Sequence, residues 1–157
     1  MAELAPVPAA DGRAILDVLA RYAQVIDNGD FDELASVFTP DVVFGRAGVR
    51  GFDAIIAAIG SVTPYHPHHT TNSLLGLAPD GTVRAWSKYV IVRTDGTAGS
   101  GDYLDTLVRT PAGWRISRRD VHRGTRRDDD PGGASVRTWT FDDWRKVPGA
   151  EGVAPVE

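Results

Sequence analysis

The sequence predicts an α+β fold in which helices precede a set of strands along the chain. Apolar residues first recur at helical spacing, in three runs that end at glycine or proline. From His68 onward the segments are rich in β-branched and aromatic residues, and short turns such as Pro79-Asp80-Gly81 and Asp95-Gly96 join them. We therefore expect the helices to lie on one face of a curved antiparallel sheet.

The three helices are expected in the first part of the chain. Asp11 can cap the first helix, whose apolar residues keep a helical spacing until Asn28-Gly29 stops the run. Asp30 resembles the start of a capping box and opens a second short helix that continues to about Phe38. A third helix is predicted over residues 52–59, between two glycines.

Five strands are expected to form the sheet. They cover residues 41–44, 68–77, 82–93, 102–109 and 114–122. Residues 1–10 are rich in proline and alanine and are expected to be loose. The sequence thus predicts a loose N-terminus, one α+β domain over residues 11–123, and a C-terminal tail over residues 124–157.

The tail begins with a charged segment that is rich in glycine and proline. Trp139, Phe141 and Trp144 follow it, and aromatic side chains in a tail usually pack against another surface. We expect a short docking segment there, on the mouth of a pocket or on a neighbouring subunit.

Composition excludes several classes of protein. The chain has 157 residues, 42% of them hydrophobic and 24% charged, which suits one globular domain with its own core. The absence of cysteine excludes disulfides, thiolate metal sites and cysteine nucleophiles. A net charge of −4 argues against nucleic acid as a partner. Without a long apolar run or a signal-peptide pattern, we expect a cytoplasmic protein with no membrane partner.

Asp27 is the first candidate site residue. It lies in the last turn of the first helix, where the helix dipole disfavours a carboxylate. The simpler interpretation is that Asp27-Asn28-Gly29 forms the turn out of the helix. Tyr22 precedes Asp27 by five residues, so the two side chains do not share one helical face, and Tyr22 alone is typical of a core aromatic.

Three of the four histidines, His66, His68 and His69, fall within four residues at the entry to a strand. Alternation would place His66 and His68 on one face and His69 on the other. The cluster is typical of a solvated strand entry, of an acid–base histidine, or less readily of a metal site, because the spacing matches no metal motif.

The last two strands carry charged residues on both faces. Asp105 and Arg109 share a face of one strand, and Arg115 and Arg119 share a face of the next. Cross-strand ion pairing on a solvated surface explains most of these charges. It explains less well those that point to the inside of a curved sheet.

Four segments resemble a SnoaL-like protein of the nuclear-transport-factor-2-like superfamily. They read RYAQVIDNGDFDELASVFTPDVVF, RGFDAIIAAI, HHTTN and GDYLDTLVRTPAGWRISRRDV. The resemblance covers roughly residues 11–123. It implies a cone-shaped barrel, in which a strongly curved antiparallel sheet and three N-terminal helices enclose an apolar pocket. It also implies a homo-oligomer, a dimer or trimer, that assembles through the outer face of the sheet.

The pattern is most similar to the branch that contains scytalone dehydratase, bile-acid 7α-dehydratase and lindane dehydrochlorinase. Those enzymes eliminate across a C–C bond without a cofactor or metal, using a His/Asp pair. The resemblance implies that Asp27 and His68 form this pair, with Tyr22 and Arg119 beside them. A shift of one residue would select His69 instead.

Four further residues are expected to contact a substrate: His69, Asp105, Tyr89 and Asn72. The scytalone enzyme has a second active-site histidine on the next strand, and residues 82–93 contain none. Ser87, Lys88 or Tyr89 would have to occupy that place.

These residue types suit an elimination. A neutral His68 can take a proton from carbon while Asp27 fixes its tautomer and stabilises the imidazolium. Tyr22 can donate a hydrogen bond to a developing enolate or leaving hydroxyl. Arg119 can stabilise negative charge, an effect worth about 3 kcal/mol in a dry site. The sequence thus predicts a lyase of the dehydratase type that acts on a small cyclic or polyketide-like molecule.

Two alternatives remain at this stage. An isomerase or cyclase on the same scaffold would use Asp27 or Asp105 as its base, with His68 only positioning the substrate. The second alternative is a non-catalytic module that binds a small molecule, because one fold hosts many functions. The joint presence of Tyr22, Asp27, His68 and Arg119 favours an enzyme.

Overall fold

The computed structural model describes residues 4–45, 47–60, 67–124, 141 and 144. Within them the chain forms two α-helices with a 3-10 helix between them, and six strands. The helices are α1 (Ala9–Asn28), the 3-10 helix (Phe31–Ser36) and α2 (Gly51–Gly60). The strands are β1 (Phe38–Phe44), β2 (Val49–Arg50), β3 (His68–Leu77), β4 (Val83–Val92), β5 (Ala98–Thr110) and β6 (Gly113–Arg123).

The strands form one sheet in the order β2-β1-β6-β5-β4-β3. The last four strands of the chain pair with their sequence neighbours in antiparallel fashion, as short turns dictate. β1, however, pairs with β6 in parallel. The prediction of a wholly antiparallel sheet is therefore wrong, because no hairpin turn joins β1 to β6 and sets their relative direction.

The sheet is open rather than closed into the predicted barrel. β2 forms one edge and β3 forms the other. The edge at β3 is partly covered, because Ala5 forms two backbone hydrogen bonds with Leu77, of 2.9 and 2.8 Å. That stretch of the N-terminus is thus tied to the sheet and is not loose.

Helix α1 begins at Ala9, with Pro8 before it, and ends at Asn28, because the next residue, Gly29, has a φ of 70° that terminates the helix. Asp11 does not cap the helix as predicted but lies in its first turn. Its carboxylate instead accepts a hydrogen bond from Trp114 Nε1 at 3.1 Å and pairs with Arg109. Because both partners lie near the β5–β6 turn, Asp11 ties the helix to the sheet.

The second predicted helix is shorter and tighter than expected. It is a 3-10 helix that ends at Ser36, and β1 begins at Phe38, where the sequence predicted continued helix. The cause is tertiary pairing, since the N–H of Ile116 donates to the carbonyl of Val37 at 2.9 Å and Phe38 pairs with Ile116. Both Val37 and Phe38 are buried.

One hydrophobic cluster joins α1, β1 and one face of the sheet, which we call the inner face. Helix α1 contributes one apolar face to this cluster: Ile15, Val18, Leu19, Tyr22, Val25 and Ile26. On β4 and β5 the inner face carries Val83, Ala85, Tyr89, Tyr103 and Leu107. Strand alternation places Trp86, Lys88 and Asp102 on the opposite side, the outer face.

The described tail residues lie on the outer face. The ring centroids of Phe141 and Trp144 are 5.5 and 6.2 Å from that of Trp86. The sequence predicted them at a pocket mouth or on a neighbouring subunit, and the structure instead places these two on the chain's own sheet. Trp139 lies outside the described residues.

In the part of the chain that the structure describes, no helix combines the length and apolar character needed to cross a membrane.

Candidate active site

Asp27 and His68 are in direct contact, although 41 positions separate them in sequence. Asp27 is in the last turn of α1, and His68 is the first residue of β3. His68 Nδ1 lies 2.6 Å from Asp27 Oδ1, and the backbone N–H of His68 donates to Asp27 Oδ2 at 2.7 Å. Both carboxylate oxygens are thus engaged by one residue, which fixes the imidazole ring relative to the helix.

This contact explains a carboxylate at the disfavoured end of a helix. The side chains of Asp27 and His68 are each 22% exposed, so water reaches them only in part. The His68 backbone N–H supplies a donor that a helix C-terminus lacks. The turn interpretation of Asp27 was therefore incomplete, because Gly29 makes the left-handed exit while Asp27 turns to the sheet.

Strand alternation separates His68 from His69. His68 is half-buried and pairs with Ile91, whereas His69 is exposed and pairs with Val90. The two rings therefore lie on opposite faces of β3. His68, not His69, is the histidine in contact with Asp27, and His66 lies outside the described residues.

Tyr22 belongs to the core and also borders His68. Its ring centroid lies 6.3 Å from that of His68 in an edge-on arrangement, and 5.7 Å from that of Tyr103. Burial raises the pKa of the Tyr22 phenol, and the Arg119 guanidinium offsets only part of that rise. Tyr22 is consequently a neutral phenol at ordinary pH, able to donate a hydrogen bond.

Arg119 lies at the centre of the inner face with no exposed surface. Its Nε and Nη2 each donate to Asp105 at 2.7 Å, which is the bidentate geometry of an ion pair. Its guanidinium carbon lies 4.0 Å from the ring centroid of Tyr22 and 4.1 Å from that of Tyr103. The remaining nitrogen, Nη1, is buried and has no hydrogen-bond partner.

In the buried pair of Arg119 and Asp105, burial and the ion pair shift each pKa in opposite directions. Burial acts to lower the pKa of Arg119, but the Asp105 carboxylate more than offsets it, so the pKa is raised. Burial raises the pKa of Asp105, and Arg119 opposes that rise. Because both Asp105 oxygens are used by Arg119, Asp105 is a poor candidate for a general base.

Tyr89 completes the aromatic wall. Its ring stacks on Tyr103 with a centroid distance of 4.5 Å. The stack depends on Gly101, which pairs with Tyr89 across β4 and β5. A Cβ at that position would lie 2.7 Å from the Tyr89 hydroxyl, closer than real Cβ contacts allow.

The structure therefore brings six of the eight candidate residues to one region of the inner face: Tyr22, Asp27, His68, Tyr89, Asp105 and Arg119. The other two, His69 and Asn72, are exposed. Asn72 has a φ of 51° at an irregularity in β3, and its Oδ1 accepts from Thr71 Oγ1 at 3.0 Å. Its role is in the bulge of the strand.

Two further polar groups lie on the inner face: Ser87, which was expected only as one possible occupant of the place of the family's second histidine, and Thr70, which sequence reasoning missed. Ser87 is fully buried, and its Oγ lies 2.8 Å from that of Ser73. Thr70 Oγ1 is buried without a hydrogen-bond partner. Alternation from His68 would have placed Thr70 on the same face, but nothing in the sequence indicates that its hydroxyl is unpaired.

The arrangement joins a positioned imidazole to a phenol and a buried guanidinium on an apolar wall. Such a set can move a proton at His68 and stabilise negative charge beside it. Among the described residues, no three His, Cys, Asp or Glu side chains are grouped so that they would hold a metal ion.

Comparisons with known proteins give the same picture of the fold. A family model described as a SnoaL-like domain matches residues 8–120. The uncharacterized protein Rv2910c of Mycobacterium tuberculosis is 30% identical over 125 residues, which are 69% of this chain and 82% of that protein.

Two solved structures are also similar. A variant of Rv3472 from M. tuberculosis, a protein of unknown function, is 27% identical with a TM-score of 0.66, over 81% of this chain and 84% of that one. A candidate scytalone dehydratase from Novosphingobium aromaticivorans is 24% identical with a TM-score of 0.60, over 80% and 91% of the two chains. At that identity the second likeness supports the fold alone.

Proposed function

This chain belongs to the SnoaL-like domain family, and from that premise we propose that it is a cofactor-independent lyase of the dehydratase type. Its substrate is a small cyclic or polyketide-like molecule that loses water across a C–C bond next to a carbonyl. His68 acts as the base, Asp27 is its partner, and Tyr22 and Arg119 stabilise the negative charge that develops. The substrate lies in an apolar pocket against the inner face.

The observation that carries the proposal is the double contact between Asp27 and His68. Because Oδ2 takes the backbone N–H of His68, Oδ1 is left to accept from the ring at Nδ1. A proton on Nδ1 leaves the lone pair on Nε2, which is the tautomer that a general base requires.

The elimination then proceeds with balanced protons. Nε2 of His68 takes a proton from the carbon next to the carbonyl, and the C–H electron pair forms an enolate. The enolate re-forms the carbonyl as a C=C bond forms and the C–O bond to the hydroxyl breaks. The imidazolium returns its proton to the departing hydroxyl, so water leaves and His68 is neutral again.

Arg119 and Tyr22 stabilise the enolate in different ways. The free Nη1 of Arg119 can donate to the enolate oxygen without disturbing the two hydrogen bonds to Asp105. The Tyr22 phenol is neutral and stays near His68 because its ring packs on three other aromatic rings. Preorganised donors of this kind are worth about 3 kcal/mol each in a dry site.

An isomerase or cyclase would begin with the same proton abstraction and differ only in later steps. The version in which Asp105 is the base loses support, because Arg119 occupies both of its oxygens. The version in which Asp27 is the base requires it to release the contacts that hold His68 in place.

Exchange of carbon-bound protons for deuterium tests the proposal without the natural substrate. The probe is 1-tetralone, a bicyclic ketone, and its α-proton exchange is followed by NMR in D2O. We expect the wild type to accelerate exchange over buffer and His68→Ala to lower the rate by at least ~10²-fold. His69→Ala is the matched control and should keep the wild-type rate. Equal rates in wild type and His68→Ala would contradict the proposal and favour a non-catalytic binding module.

A further inference from the structure

Thr70 lies next to the proposed site but takes no part in the steps above. It follows His68 by two residues on β3 and pairs with Tyr89 on β4. Side chains two residues apart in a strand point to the same face, so the threonine lies on the inner face with His68. Its Oγ1 is buried and has no hydrogen-bond partner.

Among the described threonines, Thr70 and Thr39 are the two whose buried hydroxyl has no hydrogen-bond partner. The hydroxyl of Thr71 donates to Asn72, that of Thr82 to Asp80, and that of Thr110 to a backbone carbonyl. Thr39 also lacks a partner, but it neighbours the core residue Phe38 on β1 and so points to the other side of that strand. A buried hydroxyl without a partner destabilises the fold, so the one beside His68 needs an explanation.

A continuous series of contacts links Thr70 to the proposed site. Thr70 pairs with Tyr89, which stacks on Tyr103 at 4.5 Å. Tyr103 and Tyr22 lie on either side of the Arg119 guanidinium, and Tyr22 borders His68. These residues surround one region of the inner face, and two polar atoms around it have no partner: Arg119 Nη1 and Thr70 Oγ1.

We propose that Thr70 determines specificity, and that its hydroxyl binds a second oxygen function of the substrate. This inference rests on the proposed function, because it assumes that the substrate reacts at His68. Residues two apart in a strand lie roughly 6–7 Å apart, so a second oxygen function at about that distance from the reacting carbon would reach Thr70. The substrate class is thus a ketone that carries a hydroxyl or a second carbonyl at that distance.

The chemistry of Thr70 restricts the second group to a neutral oxygen. A threonine hydroxyl can donate one hydrogen bond and accept others, so it suits either a hydroxyl or a carbonyl. It carries no charge that would compensate a buried carboxylate or phosphate. The nearby positive charge, on Arg119, is already paired with Asp105.

Two related probes test whether the Thr70 hydroxyl binds a second oxygen. Binding of 1-tetralone and of 6-hydroxy-1-tetralone, whose two oxygens lie at opposite ends of the bicycle, is measured by chemical-shift titration. We expect the wild type and Thr70→Ser to bind the hydroxylated probe about 3- to 10-fold more tightly, the effect of one neutral hydrogen bond. In Thr70→Val the preference should vanish while the affinity for 1-tetralone stays unchanged. Thr71→Val, on the exposed face, is the matched control and should keep the preference.

Thermal unfolding separates a binding role from a structural one. Because the hydroxyl has no partner in the free protein, Thr70→Val should leave Tm unchanged or raise it by roughly 2–4 °C. If valine disturbs the fold, Thr70→Ala removes the same hydroxyl with less bulk. The loss of preference for the hydroxylated probe is then measured in Thr70→Ala.

Three results would overturn the assignment of Thr70. They are equal affinity of the wild type for the two probes, no binding of either probe, and a preference that survives in Thr70→Val. The outcome is independent of catalysis, because the His68→Ala variant should keep the same preference. A wild type that shows the preference but does not accelerate proton exchange would therefore refute the proposed function alone.

Discussion

Single residues of the inner face are each held by specific partners. Asp27 uses both of its oxygens on His68, and Asp105 uses both of its oxygens on Arg119. The first contact could be predicted only when the family resemblance was added to a carboxylate at an unfavourable helix end and a histidine at a strand entry. The second contact could not be predicted, because the solvated ion pairs expected there have the same sequence pattern as a buried pair. The resemblance implied that Arg119 lies beside His68, but only the fold shows that it pairs with Asp105.

The buried pair makes a specific prediction for stability. Asp105→Asn leaves the Arg119 charge buried without its counterion, which should lower the free energy of unfolding by roughly 3–5 kcal/mol. Urea denaturation measures the change. Asp120→Asn is the matched control, because its pair with Arg118 is partly exposed and should be worth less than about 1 kcal/mol. Equal losses in the two variants would show that Arg119 does not depend on Asp105.

At the level of elements, local patterns predicted most of the structure. Periodicity and turn residues predicted α1, α2 and the four strands from β3 to β6, because these depend on the residues within each segment. The parallel pairing of β1 with β6 and the early start of β1 were missed. Both depend on Val37 and Phe38 meeting Ile116, a contact between distant parts of the chain that no local pattern encodes.

The close approach of β4 and β5 at Gly101 predicts the effect of one added methyl group. In Gly101→Ala the new Cβ would meet the Tyr89 ring and the backbone carbonyl of His122. We expect unfolding free energy to fall by about 1–3 kcal/mol, as in overpacked cores. Gly12→Ala is the control. Gly12 lies inside helix α1, where alanine is favoured, and its new Cβ would make an ordinary contact of 3.8 Å with Leu75 on β3. A neutral Gly101→Ala would contradict the described stack.

At the scale of the whole molecule, the two faces of the sheet serve different purposes. The inner face carries the proposed site, and the outer face carries Trp86, whose Nε1 donates to buried Asp102 at 2.6 Å. Lys88 pairs with the same carboxylate. Phe141 and Trp144 cover Trp86, so these two rings shield part of the outer face.

Removing the two tail rings should expose Trp86. In the variant Phe141→Ala with Trp144→Ala, we expect a lower unfolding free energy in urea, by roughly 1–3 kcal/mol. Leu16→Ala, at an exposed position of α1, is the control and should leave that free energy nearly unchanged. An unchanged unfolding free energy in the double variant would mean that the two rings do not cover Trp86 in solution.

The homo-oligomer that the family resemblance implies remains a prediction, as does its assembly through the outer face. Light scattering of the full chain should give the mass of a dimer or trimer. If the outer face forms the contact, the oligomer must accommodate the tail rings on Trp86, and the double tail variant should change its dissociation constant. A monomer at all accessible concentrations would refute the prediction.

The most direct test of the central claim is a double-mutant cycle on Asp27 and His68, with 1-tetralone proton exchange as the assay. In Asp27→Asn the side-chain oxygen should keep the His68 backbone N–H, which turns the amide NH2 to Nδ1 and moves the ring proton to Nε2. We expect Asp27→Asn and His68→Ala each to lower the rate at least ~10²-fold, and the double variant to lose no more than either. Losses that multiply in the double variant, or a wild-type rate in Asp27→Asn, would show that Asp27 and His68 do not act as one unit.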